Sequence, residues 1–476
     1  MNDLHIDLIK PKEKRAAAVI AMVLILLAVA SYRFLHPAGP PGSVALDKPV
    51  ATQAPMVFAT PSSAPAASPQ LSPIPTQSPP ALAPVTADQS AMQGMGRLAF
   101  TSQDRLYMLD ASGIRLLDER ALRPSWSPSG RWLAYWGSVG KPPSDQGSFQ
   151  ITDGDSTMQL PLGVFPVMHA GPCGEAYAWS PVQDQLAIAL GNALWLQLPG
   201  AARRKLMDRC VMSFAWSPDG SRIAFVLREN PDQLMTLSVA GGEQTSLAIG
   251  GLDWPLLEVT GWWPDNRGVF YGPDPKLSPS SAADGHHLFS VPLTGGEPTI
   301  LPKGLAYTSW FANSPDGQRF ALVRGSGREV QIDKVTTVCR VPATCTDIAL
   351  RPNTVLTGPA WSPDGARLAV LEAAAGNPCC SAPYSPEAIA QWNATHRIVI
   401  TDPNGTVLKY LDWGQGALYL QWSNDARTML FVRDHAIWKL NLYSGRETRI
   451  AGPLTGVNDN YYGWIDWSSL VAWTGG

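Results

Sequence analysis

Phe214-Ala215-Trp216-Ser217-Pro218-Asp219-Gly220, followed by Arg222-Ile223-Ala224-Phe225, is the stretch on which the fold turns. It reads as a short apolar strand ending in tryptophan, a four-residue turn and a second strand. Ser, Pro, Asp and Gly in that order suit positions i to i+3 of a type I turn. Proline presets φ at the second place, and short polar side chains bond the nearby backbone. The tryptophan offers a large apolar surface to a neighbouring layer. In the second strand Ile223 and Phe225 alternate with Ala224, so both faces are covered, one by bulky groups and one by a small one.

The stretch is one of a series. Trp361-Ser362-Pro363-Asp364-Gly365 followed by Arg367-Leu368-Ala369-Val370 repeats it closely. Looser copies begin at Trp126, Trp179, Trp262, Asn313 (in place of tryptophan), Trp422 and Trp464. The anchors stand 37 to 61 residues apart, yet the centre of the second strand lies eight residues beyond each of them: Ala134, Ala187, Ala224, Phe270, Ala321, Ala369, Leu430 and Ala472. Constant spacing within copies and variable spacing between them is the pattern of strand pairs joined by variable loops. Two further strands complete a unit, as in Ala436-Ile437-Trp438-Lys439-Leu440 with Glu447-Thr448-Arg449-Ile450. Four short strands in roughly 40–50 residues predict an all-β fold, a β-propeller of four-stranded blades.

The turn is intact at Ser217, Ser314 and Ser362 and nearly so at Ser127-Pro128-Ser129-Gly130. Together with the Ile/Leu-Ala-Phe strand that follows, it resembles the repeat of TolB-type periplasmic propellers, also called WD40-like propellers. The resemblance runs from Arg97 to the last residue. It implies a fold rather than one function, because that repeat serves assembly proteins and peptidase accessory domains alike. Seven units run from Trp126 to about Thr455. Strands at Leu98-Ala99-Phe100, Leu106-Tyr107-Met108-Leu109 and Ile114-Arg115-Leu116-Leu117 open the domain, and strands between Tyr462 and Trp473 lack an outer partner. Joining the two ends makes an eighth blade and removes the open edges; eight blades are expected, with seven as the alternative.

The region before the repeats has a different character. Ala16 to Ala30 is an unbroken run of apolar or small residues, preceded by Lys10, Lys12, Lys14 and Arg15 and followed nearby only by Arg33 and Lys48. That run and that charge bias predict a transmembrane anchor over residues 16–35, with residues 1–15 cytoplasmic and the rest of the chain outside. The alternative is a cleavable signal peptide, since Ala28-Val29-Ala30 matches its cleavage pattern. Residues 36–96 carry thirteen prolines between Pro37 and Pro84 and almost no charge, which predicts a disordered linker. Residues 97–476 form the propeller. The expected location is therefore the cell membrane, single-pass, with the C-terminal domain extracytoplasmic.

Function is less legible. The net charge of −3 argues against nucleic acid as a partner. None of the seven histidines forms a His-Glu-x-x-His pattern, and the sequence contains no Gly-x-Ser-x-Gly elbow or phosphate-binding loop, so no catalytic, metal or cofactor residues are assigned. Long insertions fall at Gly137–Gly147, Pro161–Ala176, Tyr271–Asp284 and Ala373–His396, all in connections that emerge on one face of a propeller. His286, His287, Tyr384 and Trp392 are the candidate binding groups there. Cys173 and Cys210 each lie six residues before an anchor in consecutive units, which predicts a disulfide between neighbouring blades. Cys339 and Cys345 flank a hairpin and form a second candidate pair, while the adjacent Cys379 and Cys380 could bond to each other only with strain, so free thiols or partners elsewhere are equally expected. The leading expectation is a binding or scaffolding module for a protein, peptide or glycan. The alternatives are a structural subunit of an envelope assembly and a propeller hydrolase or lyase.

Overall fold

Seven of the eight copies of the repeat fold into the two inner strands of an antiparallel sheet of four or more strands. The computed structural model describes residues 84–138, 146–159, 165–166, 173, 176–247, 256–273, 285–304, 307–376, 386–456 and 465–476. The expected anchor, most of the linker, Cys379, Cys380, Tyr384 and Trp464 lie outside these residues. Among the described residues no helix is long and apolar enough to cross a membrane.

Numbered along the chain, blade 1 runs from Ala121 to Gln159, blade 2 from Ala176 to Met207, blade 3 from Val211 to Leu247 and blade 4 from Leu257 to Gly304. Blade 5 runs from Phe311 to Asp347, blade 6 from Thr354 to Tyr410 and blade 7 from Leu420 to Gly452, and blade 8 joins the two ends. Blade 3 shows the pattern. Val211–Trp216, Arg222–Leu227, Asn230–Ser238 and Gln244–Leu247 pair in chain order, with Ala215 opposite Ala224 and Trp216 opposite Ile223. The turn closes as its residue types require, with the Gly220 amide donating to Ser217 O at 2.9 Å. Gly220 has φ +69°, and a Cβ there would stand 2.7 Å from Val182 of the preceding blade. Glycine is therefore required twice over, by backbone conformation and by the close approach of the preceding blade's turn. The Ser362 hydroxyl donates to Asp364 in the equivalent turn of blade 6 and holds that carboxyl below the usual carboxylate range.

Among the described residues there are eight such sheets, and the core is divided among their junctions. Ile223, Phe225 and Leu227 pack against blade 2, whereas Ala224 and Val226 pack against blade 4. Ala224 is small because Trp262, the anchor of blade 4, occupies the space beside it. The same complementarity joins Ala134 to Trp179, Ala187 to Trp216, Ala321 to Trp361 and Ala369 to Trp422. It also accounts for both departures in the middle of the chain. Where the anchor is Asn313, the equivalent residue of blade 4 is Phe270, fully buried against Phe311 and Phe320. The small anchor and the large strand residue are one exchange of volume, as close packing demands.

Hydrogen bonds reinforce each junction. The indole N–H of Trp126, Trp179, Trp216, Trp262, Trp361 and Trp422 donates to the carbonyl just before the anchor of the preceding blade, at 2.9–3.0 Å. Asn313 bridges its junction through Nδ2 to Trp262 O. Arg97 and Arg367, at the start of second strands, lie over the anchor rings of the next blades, Trp126 and Trp422.

The eighth unit corrects the sequence reading in detail while keeping the number of blades. Ala472 is not the centre of a second strand. It lies in the innermost strand, Val471–Trp473, opposite Ala99, and Trp473 takes the anchor position opposite Leu98. The rest of blade 8 comes from the other end of the ring: Leu98–Ser102, Arg105–Asp110 and Gly113–Asp118. One C-terminal strand thus joins three N-terminal ones. Residues 84–96, expected in the linker, also belong to the ring. Thr86–Ala87 adds a strand to the outer edge of blade 7, and Asp88 caps a single helical turn that buries Ala91 and Met92. Val85, Met92 and Met95 give this segment the apolar surface that the preceding proline-rich tract lacks.

Candidate binding face

The anchor turns occupy one face of the ring, so the connections from second to third strands and from blade to blade occupy the other. On that second face the innermost strands surround a cavity of about 610 Å³ at the mouth of the central channel. Its wall comes from blades 1 to 5 together with the turn before Val471. Trp136, Tyr177, Phe214, Phe311, Met212 and Leu288 supply apolar surface, and Arg123, Glu258, His286 and Asp466 supply polar groups.

The wall is built on fixed side chains. Tyr177 packs edge-on against Trp136 and Phe149, with ring centroids 5.5 and 4.7 Å away, and its hydroxyl donates to Arg123 O. Burial raises the Tyr177 pKa above the ordinary phenol value, so the group stays protonated and acts as a donor. Arg123 holds φ +55°, an uncommon backbone conformation for its residue type, at the cavity edge. The Ser468 hydroxyl donates to Asp466 on the blade 8 side.

The two histidines separate. His286 opens the third strand of blade 4 and lines the cavity. His287 points elsewhere, with Nδ1 2.9 Å from Leu301 O, an acceptor that places the proton on Nδ1. Trp392 lies in the short helix Pro386–Asn393, inside the insertion of blade 6. It faces inward, 9 % exposed, with its indole donating to Ala374 O and its ring edge-on to His396 at 4.4 Å. Its place is that of a fastener holding the helix to blade 6, in a cluster with Trp310 and Val330. Tyr384 lies outside the described residues.

Cys173 and Cys210 are disulfide-bonded and join the segments that precede the first strands of blades 2 and 3. Cys339 and Cys345 are bonded across paired strands of blade 5. Sequence reasoning missed Tyr177, Phe214 and Glu258, because inner-strand residues before an anchor look like any other strand residue. Their only signal is position, two to four residues ahead of an anchor tryptophan. Among the described residues no group of three or more His, Cys, Asp or Glu side chains could hold a metal ion.

No protein-family model matches the chain, and no curated protein matches it. Solved structures do. A eukaryotic initiation factor structure is 14 % identical, covering 77 % of this chain and 87 % of that one, with a TM-score of 0.48. Dipeptidyl peptidase 4 from Porphyromonas gingivalis is 10 % identical over 77 % of this chain and 59 % of that one, also at 0.48. TolB from Acinetobacter baumannii is 14 % identical over 66 % of this chain and 64 % of that one, with a TM-score of 0.31. The eight-bladed ring agrees with the TolB-type resemblance read from the repeat.

Proposed function

We propose that the chain is a membrane-tethered, extracytoplasmic binding module that takes a protein or peptide segment at the mouth of its channel. The cavity of about 610 Å³ on the loop-bearing face carries this reading. It is concave and walled by aromatic and aliphatic side chains, with a few polar groups among them, which is the usual make-up of a ligand site. Its Met, Leu and Val content favours apolar peptide side chains. The innermost strands add backbone polar groups that suit an extended segment. The two disulfides support the extracytoplasmic placement, because such bonds persist in oxidising compartments. The basic residues before Ala16 support the orientation.

Panning a random peptide library against the full chain, with Met212→Arg as the counter-target, tests the reading. Peptides selected on the parent are expected to lose affinity for the variant by roughly tenfold or more, since a buried charge would face their apolar side chains. Peptides that bind both proteins equally, or no enrichment at all, would remove the channel mouth as the site and favour a structural subunit held through its blades.

A further inference from the structure

A second cavity lies at the top of blade 6, and the charged groups around it are not balanced. It measures about 310 Å³, near the lower end for small-ligand sites. Its wall draws on the entry to blade 6 (Arg351, Asn353, Thr354), the end of its second strand (Glu372, Ala373, Ala374), the start of its third (His396, Arg397) and Gln415. These residues bring two guanidinium groups and one carboxylate.

The carboxylate is fully engaged by one of the two arginines. Glu372 is 2 % exposed and receives Arg351 through two parallel hydrogen bonds, Nε to Oε1 at 3.0 Å and Nη2 to Oε2. The Arg351 guanidinium also lies over the Tyr410 ring, 4.4 Å from its centroid, and is thereby held in place. Arg397 stands directly across the strand pair from Glu372, yet its Nε remains 3.9 Å from Oε2, beyond hydrogen-bond distance. Its side chain is 38 % exposed. His396 adds no charge: it is buried, its Nδ1 lies 3.0 Å from Asn393 O, and burial lowers its pKa to about 4. Arg433, which reaches Gln415 O, is matched by Glu447 at 2.7 Å. Two guanidinium groups thus share one carboxylate, which leaves one net positive charge at the cavity, and Arg397 is the more loosely held of the pair.

We propose that the blade 6 cavity binds a small organic carboxylate, with Arg397 as its principal donor. A planar fork fits a carboxylate in two-point contact. The neighbouring Glu372 carboxylate limits the site to one negative charge, so a monoanion is favoured over inorganic phosphate, which is partly dianionic at neutral pH. The walls Ala373, Ala374 and Ala394 leave room for a small body behind the anionic group.

Titration calorimetry on the full chain in detergent provides the test, with N-acetylglycine and glucuronate as probes and N-acetylglycinamide, glucose and inorganic phosphate as controls. Saturable binding of one or both carboxylates is expected, and which of them binds distinguishes a peptide-type acid from a sugar acid. Arg397→Gln should weaken it between about tenfold and a hundredfold, the range for one charge-assisted contact. Arg397→Lys should weaken it less. Ala394→Leu, at an exposed wall position, should block binding while leaving every charge in place, and serves if the arginine variants fail to fold. Neutral analogues or phosphate binding as well as the acids, no saturation at millimolar probe, or full affinity in Arg397→Gln and Ala394→Leu would each overturn the assignment.

Discussion

The two faces of the ring are built by opposite rules. On the turn face, first and second strands made from one continuous segment are joined by tight turns, and in blades 3, 5, 6 and 7 the same bonds stitch them. Ser217, Ser314, Ser362 and Ser423 each donate to the aspartate two residues on, and each accepts the amide five residues on at 2.9 Å. On the loop face, the corresponding connections range from the short turn joining Arg433 to Ala436 to the 22 residues between Ala374 and Arg397. A turn that packs against the next turn has no freedom to lengthen. A connection that faces the channel mouth does, and both cavities lie there. The contrast teaches where selection for closure stops and where a ligand site has room to form.

Three measurements would break or sharpen that contrast. The largest effect is expected from Trp216→Ala, which removes a buried anchor ring and its indole bond to Ala178 O. Chemical denaturation should show a loss of about 3–5 kcal/mol. A much smaller loss would mean that the turn-face anchors do not carry the junctions.

Next comes the exchanged pair. Asn313→Trp alone should cost about 1–3 kcal/mol by overpacking against the Phe270 side of the junction. The double variant Asn313→Trp/Phe270→Ala should be more stable than the sum of the singles implies. Simple additivity would sink the volume-exchange account.

The smallest effect belongs to the loop face and depends on pH. His396 is buried neutral, with its pKa lowered to about 4, whereas the unfolded chain protonates near pH 6.5. Below pH 6.5 the unfolded state binds the extra proton, so the contribution is fully present above that pH. It falls as pH drops towards 4. The protein should be roughly 2 kcal/mol less stable at pH 5 than at pH 7, and His396→Leu should flatten that part of the profile. An unchanged slope in the variant would place the proton uptake elsewhere.

These comparisons also show what the sequence makes visible. The ring is legible because its restraints are local and repeated: a turn of four fixed residue types, an anchor, and a small residue eight positions later. The last blade was read out of phase, since Trp464 and Trp473 offer competing anchors nine residues apart and only pairing with Leu98 decides between them. Thr86–Ala87 was hidden because a two-residue strand leaves no periodicity to detect. The sites are less legible still. Glu372 and Arg397 lie 25 residues apart, and Arg351 lies 21 before Glu372; their meeting depends on strand register. Trp392 drew notice as an exposed-loop aromatic, but only the helix around it shows that it points inward.

The junction of the two chain ends has a consequence for how this protein comes into being. The Thr474 hydroxyl accepts the Arg97 amide across 377 residues of sequence, and Trp473 closes over Met95. During synthesis, the strand Leu98–Ser102 leaves the ribosome long before its inner partner exists. Until Val471–Trp473 arrives, its hydrogen-bonding edge stays open to any other extended chain. The seven blades made in between can stack, but the circle locks only at its final turn. A truncation there would yield an arc with two sticky ends, so aggregation in the cell should depend on the last few residues far more than their small number suggests.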